Sequence, residues 1–251
     1  MNILSINLLN TTPIRKLAFR QTAPNNVYSQ IPKQDEFVRN TGSLDIRRIK
    51  ALNMSHFRLH PNETISAVTL ANKNPAILTE LKECGIENVI DFRPEGSEES
   101  KYAQDCKKNG LNYINFKIRD NMPVFNAPCS GKMSSEERRV AIEKFVHQLS
   151  DFFGLMDKGK NFMACLLGLH RTDLAATMNY LLNPNEPKMP PVLAHMFYPD
   201  EINSTNKYIG KVKNVLKNLN QKDKKFLNIP ENFSDIFDSR VIKLRLVNRA
   251  K

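Results

Sequence analysis

One short segment, residues 161–172, constrains the fold of this chain more than any other. Residues 161–164 predict a buried strand, and Asp173 to Asn183 predict an amphipathic helix. That helix carries its apolar residues on one face: Leu174, Met178, Leu181 and Leu182. Between the predicted strand and the predicted helix lies the sequence Cys-Leu-Leu-Gly-Leu-His-Arg-Thr, residues 165–172. A strand followed by a loop and a helix start gathers unpaired backbone N–H groups and the positive end of a helix dipole. The segment therefore predicts an anion-binding loop.

Two side chains of this loop supply chemistry. A helix start favours the thiolate form of a cysteine, so Cys165 is a candidate nucleophile. The guanidinium of Arg171 is a planar fork that matches two phosphate oxygens. The residues between them are expected to form the phosphate cradle: Leu166, Leu167, Gly168, Leu169 and His170. The alternative is a structural cysteine with an unrelated arginine at a helix start, but the central glycine and the hydroxyl of Thr172 make that coincidence rare.

Composition limits the class of protein. A chain of 251 residues with 41% hydrophobic content suits one globular domain with extensions. No apolar run is long enough to predict a membrane span. The four cysteines have neither metal-site nor disulfide-framework spacing, so we expect no metal site and a reducing compartment, the cytoplasm. We also expect a monomer without a cofactor.

The net charge of +11 is unevenly placed. Residues 1–34 contain basic side chains and no acid, and residues 206–225 carry seven lysines against Asp223 alone. Such an excess either attracts an anionic partner or forms a solvated face, and the sequence leaves both interpretations open.

Three regions are predicted along the chain. Residues 1–50 form a basic, flexible extension, residues 51–200 the folded domain that carries the anion-binding loop, and residues 201–251 a basic helical extension packed on it. Folded structure is expected to begin near Met54. The apolar residues 241–247 are typical of either a final strand or a docked tail.

Within the domain, strands and helices are expected to alternate. The predicted strands are the short edge strands 57–59 and 65–68, the buried strand 88–92 and the strand 113–118. Helices are predicted from Asn74 to Gly85, over residues 97–108, and from Ser134, where Glu137 completes a capping box. This order predicts an α/β fold with a central, mostly parallel sheet flanked by helices. The anion-binding loop would lie at the carboxyl end of a central strand.

Three segments resemble dual-specificity phosphatases of the cysteine-dependent protein tyrosine phosphatase superfamily. They are residues 81–93 (Leu-Lys-Glu-Cys-Gly-Ile-Glu-Asn-Val-Ile-Asp-Phe-Arg), residues 110–114 and the Cys-x5-Arg-Thr loop, and their spacing fits over residues 56–185. The resemblance implies a tyrosine-phosphatase-like fold and hydrolysis of a phosphate monoester, such as a phosphorylated protein, through a cysteinyl-phosphate intermediate without a metal. The chain contains no tryptophan, so it lacks the tryptophan-proline-aspartate loop of classical tyrosine phosphatases, which favours the dual-specificity branch.

The resemblance also implies roles for two further residues. An aspartate on a loop upstream of the cysteine acts as general acid in this family, and Asp120 follows the matching strand. Asp91, Asp105 and Asp173 are the alternatives. Thr172 matches the hydroxyl that hydrogen-bonds the sulfur and eases its departure.

The chain departs from the family pattern at three places. Ala164 stands where the family has histidine, Asp173 replaces a glycine, and the loop side chains are apolar, which does not support a preference for inositol polyphosphates. His170 either touches the substrate or is exposed and inert. A phosphate-binding pseudophosphatase and a rhodanese-like sulfur transferase therefore remain as alternatives. The substrate stays open among phosphotyrosine, phosphoserine, phosphoinositide and RNA 5′-phosphate.

Overall fold

A five-stranded sheet with helices on both faces forms the centre of the computed structural model. The structure describes residues 43–60, 62–70, 75–93, 100–116, 133–185, 190–191, 193, 210 and 212–249, all within the unit Pro32–Lys251. The strands are β1 (Arg58–His60), β2 (Thr64–Val68), β3 (Asn88–Asp91), β4 (Asn112–Asn115) and β5 (Asn161–Cys165).

Helices connect and cover these strands. They are α1 (Ile46–Ala51), α2 (Ala76–Glu83), α3 (Lys101–Lys108), α4 (Ser135–Lys158), α5 (His170–Leu182), α6 (helical residues 212–217), α7 (Gln221–Phe226) and α8 (Phe233–Arg249). The capping box at the start of α4 is confirmed, since the Glu137 N–H donates to Ser134 Oγ and the Ser134 N–H donates to Glu137 Oε2.

The strands follow the order β1-β2-β5-β3-β4, with β1 antiparallel to β2 and all other pairs parallel. This confirms the predicted α/β class with a mostly parallel sheet. β5 is the central strand, and its last residue, Cys165, lies opposite Val68 of β2. The prediction of two edge strands is half wrong. β1 lies at the edge, but β2 lies between β1 and β5 because the apolar side chains of Ile65 and Ala67 are fully buried.

Alternate residues of β5 enter different apolar cores. Phe162 and Ala164 pack in the core built with α1, α2 and α3, whereas Met163 and Cys165 pack in the core built with α4, α5 and the C-terminal helices. The same alternation places Leu59 of β1 in the first core, so the neighbouring Arg58 and His60 turn toward the face that carries Cys165.

Folded structure begins earlier in the chain than Met54. Helix α1 starts at Ile46, where the side chain of Asp45 accepts a hydrogen bond from the Arg48 N–H, and Leu44, Ile46 and Ile49 are buried. The segment looked polar because only these few apolar residues face the sheet. The flexible extension therefore cannot reach residue 50, and residues 1–42 lie outside the described ranges.

Two predictions about helices also need correction. Helix α5 is not amphipathic, because β5 covers one side and α8 another, so that Thr172, Asp173 and Asn179 are buried as well as its apolar residues. The apolar residues 241–247 belong to helix α8, which packs on α5, so the alternative of a final strand is wrong and the predicted helical C-terminal extension is confirmed. Arg240 of α8 ties this helix to the end of α5 by donating to the carbonyl of Asn183 at 2.8 Å.

Candidate active site

Cys165 lies at the carboxyl end of β5, where the chain turns toward helix α5. Its backbone carbonyl accepts from the Thr69 N–H at 3.0 Å and the Gly168 N–H at 3.2 Å, which fixes the start of the loop. The residue is 4% exposed and packs in the core formed with α4 and α5. The strand end predicted for the cysteine is therefore present, beside the start of the predicted helix.

The loop between β5 and α5 is pressed against the neighbouring strand β2. Gly168 has φ +69°, and a Cβ at this position would lie 2.3 Å from the carbonyl carbon and oxygen of Ala67. A side chain cannot occupy that space, so this close approach and the left-handed backbone both require glycine. The loop is thereby held above the end of β2 as well as β5.

The outer side of the loop is apolar and exposed. Leu166 is 60% and Leu167 53% exposed, and His170 is exposed at the start of α5. Leu169 is the N-cap residue and has no polar side chain, so the helix start is not capped by a side chain of its own. Arg171 is the second residue of α5 and is half-buried. This arrangement leaves the positive end of a helix beside the cysteine, as anion binding requires.

A buried arginine supports the loop from the side of β1. Arg58 Nη2 donates to the carbonyl oxygen of Gly168 at 2.6 Å and lies 2.7 Å from Asp173 Oδ1. Arg58 Nη1 also donates to the carbonyl of His56 at 3.1 Å. The side chains of Arg58 and Asp173 are only 7% and 6% exposed. Burial lowers the pKa of Arg58, whereas the negative charge of Asp173 acts to raise it.

His60 continues this polar layer along β1. Its Nε2 lies 2.7 Å from the hydroxyl oxygen of Ser66 on β2, and the imidazole is buried. Burial and the nearby charge of Arg58 lower the pKa of His60 to about 3, so the ring is neutral at physiological pH.

A second polar cluster lies at the carboxyl end of β3. Asp91 is fully buried and accepts from Arg93 Nε and Nη2, with the shortest of these bonds at 2.6 Å. The hydroxyl of Tyr113 donates to Asp91 Oδ2 at 2.9 Å, and burial together with the Asp91 charge raises the pKa of Tyr113. The guanidinium of Arg93 also lies 5.3 Å from the ring centroid of Tyr102.

The general acid predicted at position 120 lies outside the described residues. The three alternatives are each held by a cation. Asp91 is buried beneath Arg93, Asp105 pairs with Lys101 on α3 at 2.6 Å, and Asp173 pairs with Arg58. A carboxylate held in this way is poorly placed to deliver a proton to a leaving group above the loop.

The side chains of Thr172 and Ala164 are both buried. Thr172 Oγ1 makes no hydrogen bond within the described part of the chain, so the predicted bond to the sulfur is not formed in this state. Ala164 packs in the apolar core on the opposite face of β5 from Cys165. A polar side chain at position 164 would therefore enter that core.

Two other cysteines have environments that disfavour reaction. Burial raises the pKa of Cys84, and it raises the pKa of Cys106 to about 12. Thiols of this kind remain protonated and inert at neutral pH. They provide matched controls for Cys165.

Sequence reasoning missed Arg58 and His60 as parts of the site. The signal available was the alternation Arg-Leu-His over residues 58–60, in which one apolar residue separates two polar ones. Such a pattern is typical of a strand with one solvated face. The polar face is instead covered by the loop and α5, and no local pattern encodes that contact.

No protein-family model matches the chain, and no curated protein matches it. Solved structures do match. A DUF442 protein from Shewanella putrefaciens, described as a phosphatase, is 17% identical; the match covers 66% of this chain and 93% of that one, with a TM-score of 0.41. Kinase-associated phosphatase with its catalytic cysteine changed to serine is 13% identical, over 74% and 97% of the two chains, with a TM-score of 0.36.

A third match is the catalytic core of the PP-IP phosphatase Siw14 from S. cerevisiae, in complex with citrate. It is 11% identical, over 75% and 94% of the two chains, with a TM-score of 0.34. All three matched proteins are described as phosphatases, and a catalytic cysteine is named for the kinase-associated phosphatase. With identities of 17% or less and TM-scores of 0.41 or less, these likenesses assign neither a family nor an activity to this chain.

Proposed function

We propose that this protein is a phosphate-monoester hydrolase of the dual-specificity type that acts through a cysteinyl-phosphate intermediate at Cys165. The observation that carries the proposal is the position of this cysteine. It ends the central strand β5, and the next helix begins five residues later with no polar side chain as its cap. A phosphoryl group at the loop would meet both the thiolate and the positive end of α5.

Each residue then has a defined role. The Cys165 thiolate attacks phosphorus as the P–O bond to the leaving group breaks, and Asp120 gives the departing oxygen a proton. Arg171 and the backbone N–H groups of residues 166, 167, 169 and 170 hold the three equatorial oxygens and stabilise their charge in the transition state, while the N–H of Gly168 donates to the Cys165 carbonyl. Water then attacks phosphorus and gives its proton to Asp120 as the P–S bond breaks, with Thr172 donating to the departing sulfur. Inorganic phosphate leaves and the thiolate is regenerated.

We further propose that the protein is a cytoplasmic monomer that acts on a phosphorylated protein, since a thiolate nucleophile requires a reducing compartment. No helix in the described ranges is both long and apolar enough to cross a membrane. The basic C-terminal region would attract an anionic partner, although Lys213 is already paired with Asp238 at 2.7 Å.

A phosphate-binding pseudophosphatase is the second candidate. Two observations favour it: Ala164 lies in an apolar core, and the Thr172 hydroxyl makes no bond to the sulfur among the described atoms. Both features reduce support for the departing thiolate, whereas the cradle itself needs neither.

Hydrolysis of p-nitrophenyl phosphate separates the two candidates. We expect turnover by the natural protein, no detectable turnover by Cys165→Ser, and retained binding of inorganic phosphate by that variant. Cys106→Ser is the matched control, because its buried thiol lies outside the loop, and it should keep full activity. Phosphate binding without turnover in the natural protein would establish the pseudophosphatase. Unchanged activity in Cys165→Ser would overturn the mechanism.

A further inference from the structure

The peptide between Gly168 and Leu169 is held from outside the loop by Arg58. The guanidinium donates to the Gly168 carbonyl at 2.6 Å, across a sequence separation of 110 residues. In a planar trans peptide the N–H points opposite to the C=O. A carbonyl held toward β1 therefore directs the N–H of Leu169 away from β1, toward the inside of the loop.

The charge of Arg58 also acts on the loop. The guanidinium is nine-tenths buried, lies 2.7 Å from the carboxylate of Asp173 in the first turn of α5, and donates to the carbonyl of Gly168, whose own N–H donates to the carbonyl of Cys165 at 3.2 Å. Screening by water is weak at such a site, so a positive charge there favours a thiolate. The negative charge of the Asp173 carboxylate disfavours a thiolate and therefore reduces the effect of Arg58.

A buried ion pair needs a reason to exist. The desolvation of two charges offsets most of their attraction, so such a pair adds little net stability compared with apolar side chains of the same volume. The Arg58–Asp173 pair joins the edge strand to the one helix that starts beside Cys165. Its position fits a role in the loop better than a role in the core.

We propose that Arg58 is a positioning residue that orients the loop for an oxyanion and promotes ionisation of Cys165, with Asp173 as its opposing charge. This inference deepens the proposed function, since it assigns the support of the thiolate to β1. The chain thereby compensates for Ala164, whose side chain lies on the wrong face of β5 to reach the sulfur.

Other titratable or charged groups lie on the elements packed around Cys165 and must be kept constant. They are His60 on β1, Asp91 and Arg93 at the end of β3, and His170 and Arg171 on α5. The described residues of α4 that pack on this core are apolar. Each test variant therefore changes only Arg58 or Asp173.

The test is the pH dependence of Cys165 alkylation by iodoacetamide, read by mass spectrometry of its peptide. Arg58→Met should raise the midpoint by about one pH unit, so that alkylation at neutral pH slows roughly tenfold while the high-pH rate is unchanged. Asp173→Asn should move the midpoint the other way. Arg48→Met is the matched control: Arg48 is exposed and pairs with Glu80 and Glu83, so this variant should leave the midpoint in place.

Binding of inorganic phosphate separates the positioning of the loop by Arg58 from its effect on the ionisation of Cys165. Arg58→Lys keeps the charge and loses the planar fork, so it should retain most of the natural midpoint but bind phosphate several-fold more weakly. Arg58→Met/Asp173→Asn removes both buried charges and serves if the single variant does not fold, as checked by circular dichroism. Because the two removed charges act on Cys165 in opposite directions, we expect this double variant to show little change of the midpoint but the full weakening of phosphate binding.

Two results would overturn the inference: a midpoint within a few tenths of a unit of the natural one in folded Arg58→Met, or undiminished phosphate binding by the folded Arg58 variants. Neither alkylation nor phosphate binding needs turnover. A protein that binds phosphate and depends on Arg58, yet hydrolyses no ester, would therefore support the inference while the hydrolase proposal fails.

Discussion

Two buried arginine–aspartate pairs in the described residues lie on opposite sides of β5 and contact different parts of the structure. Asp91 and Arg93 are two residues apart, and Tyr113 of the adjacent β4 completes their cluster. Arg58 and Asp173 are brought together only by the fold, and Arg58 also holds a carbonyl of the loop. The first pair contacts Tyr113 of β4 and Tyr102 of helix α3, whereas the second contacts the segment proposed to carry the chemistry.

The difference teaches how to separate stability from function in this fold. Loss of Asp91 would leave the Arg93 guanidinium without its carboxylate partner, which would lower the free energy of unfolding. Loss of Arg58 would release a loop peptide and change the charge near a thiol, which is a cost to chemistry. We therefore expect the β3 side to show its effects in unfolding experiments and the β1 side to show them in the properties of Cys165.

The largest expected effect is on the β3 side. Asp91→Asn should lower the free energy of unfolding by about 3 kcal/mol, because it leaves the Arg93 guanidinium, with a side chain only 14% exposed, without a carboxylate. Urea denaturation measures this change. The alkylation midpoint of Cys165 should stay in place, and a shift as large as that expected for Arg58→Met would erase the distinction between the two pairs.

The next effect concerns the arginine of the cradle itself. Arg171→Lys keeps the positive charge but loses the bidentate fork, so kcat/KM for an aryl phosphate should fall by at least ~100-fold. The urea midpoint should change little. Kinetics like those of the natural protein would show that Arg171 serves the structure of α5 and does not grip phosphate.

The smallest effect concerns pH and stability beside Arg58. In the folded protein the pKa of His60 is lowered to about 3 from the ordinary value of 6.5, so between these pH values the unfolded chain binds a proton that the folded chain does not bind. The stability that this group contributes is present above pH 6.5 and is lost as pH falls toward 3. When the pH falls from about 7 to about 5, the free energy of unfolding should therefore decrease by about 2 kcal/mol less in His60→Gln than in the natural protein.

Urea denaturation at the two pH values measures that difference. Identical losses in the two proteins would mean that His60 is protonated in the folded state. The charge of Arg58 would then not be felt at its neighbour on β1.

Local sequence signals predicted the parts of the site that are local. The strand at 161–165 and the helix after it follow from their runs of apolar residues, and the capping box of Ser134 and Glu137 from two residues three positions apart. The parallel sheet followed from the alternation of strands and helices. For the strand, the helix and the capping box, the interaction that decides the structure lies within a few residues.

The remainder depends on contacts between distant segments. The burial of α5 on nearly every side requires α8, which follows it by some fifty residues in the chain and was itself left as a strand or a docked tail. Arg58 looked solvated because the loop that covers it comes more than a hundred residues later. Asp173, read as a departure from a family pattern, gains its meaning only from that arginine.

The most direct test of the hydrolase mechanism is a search for the covalent intermediate. The protein is mixed with an aryl phosphate, quenched in acid within the first turnover, digested and analysed by mass spectrometry. We predict one phosphoryl group on the peptide that contains Cys165, and none on the peptides of Cys84 and Cys106. Turnover without any phosphoryl group on Cys165, or with the group on another residue, would contradict the mechanism.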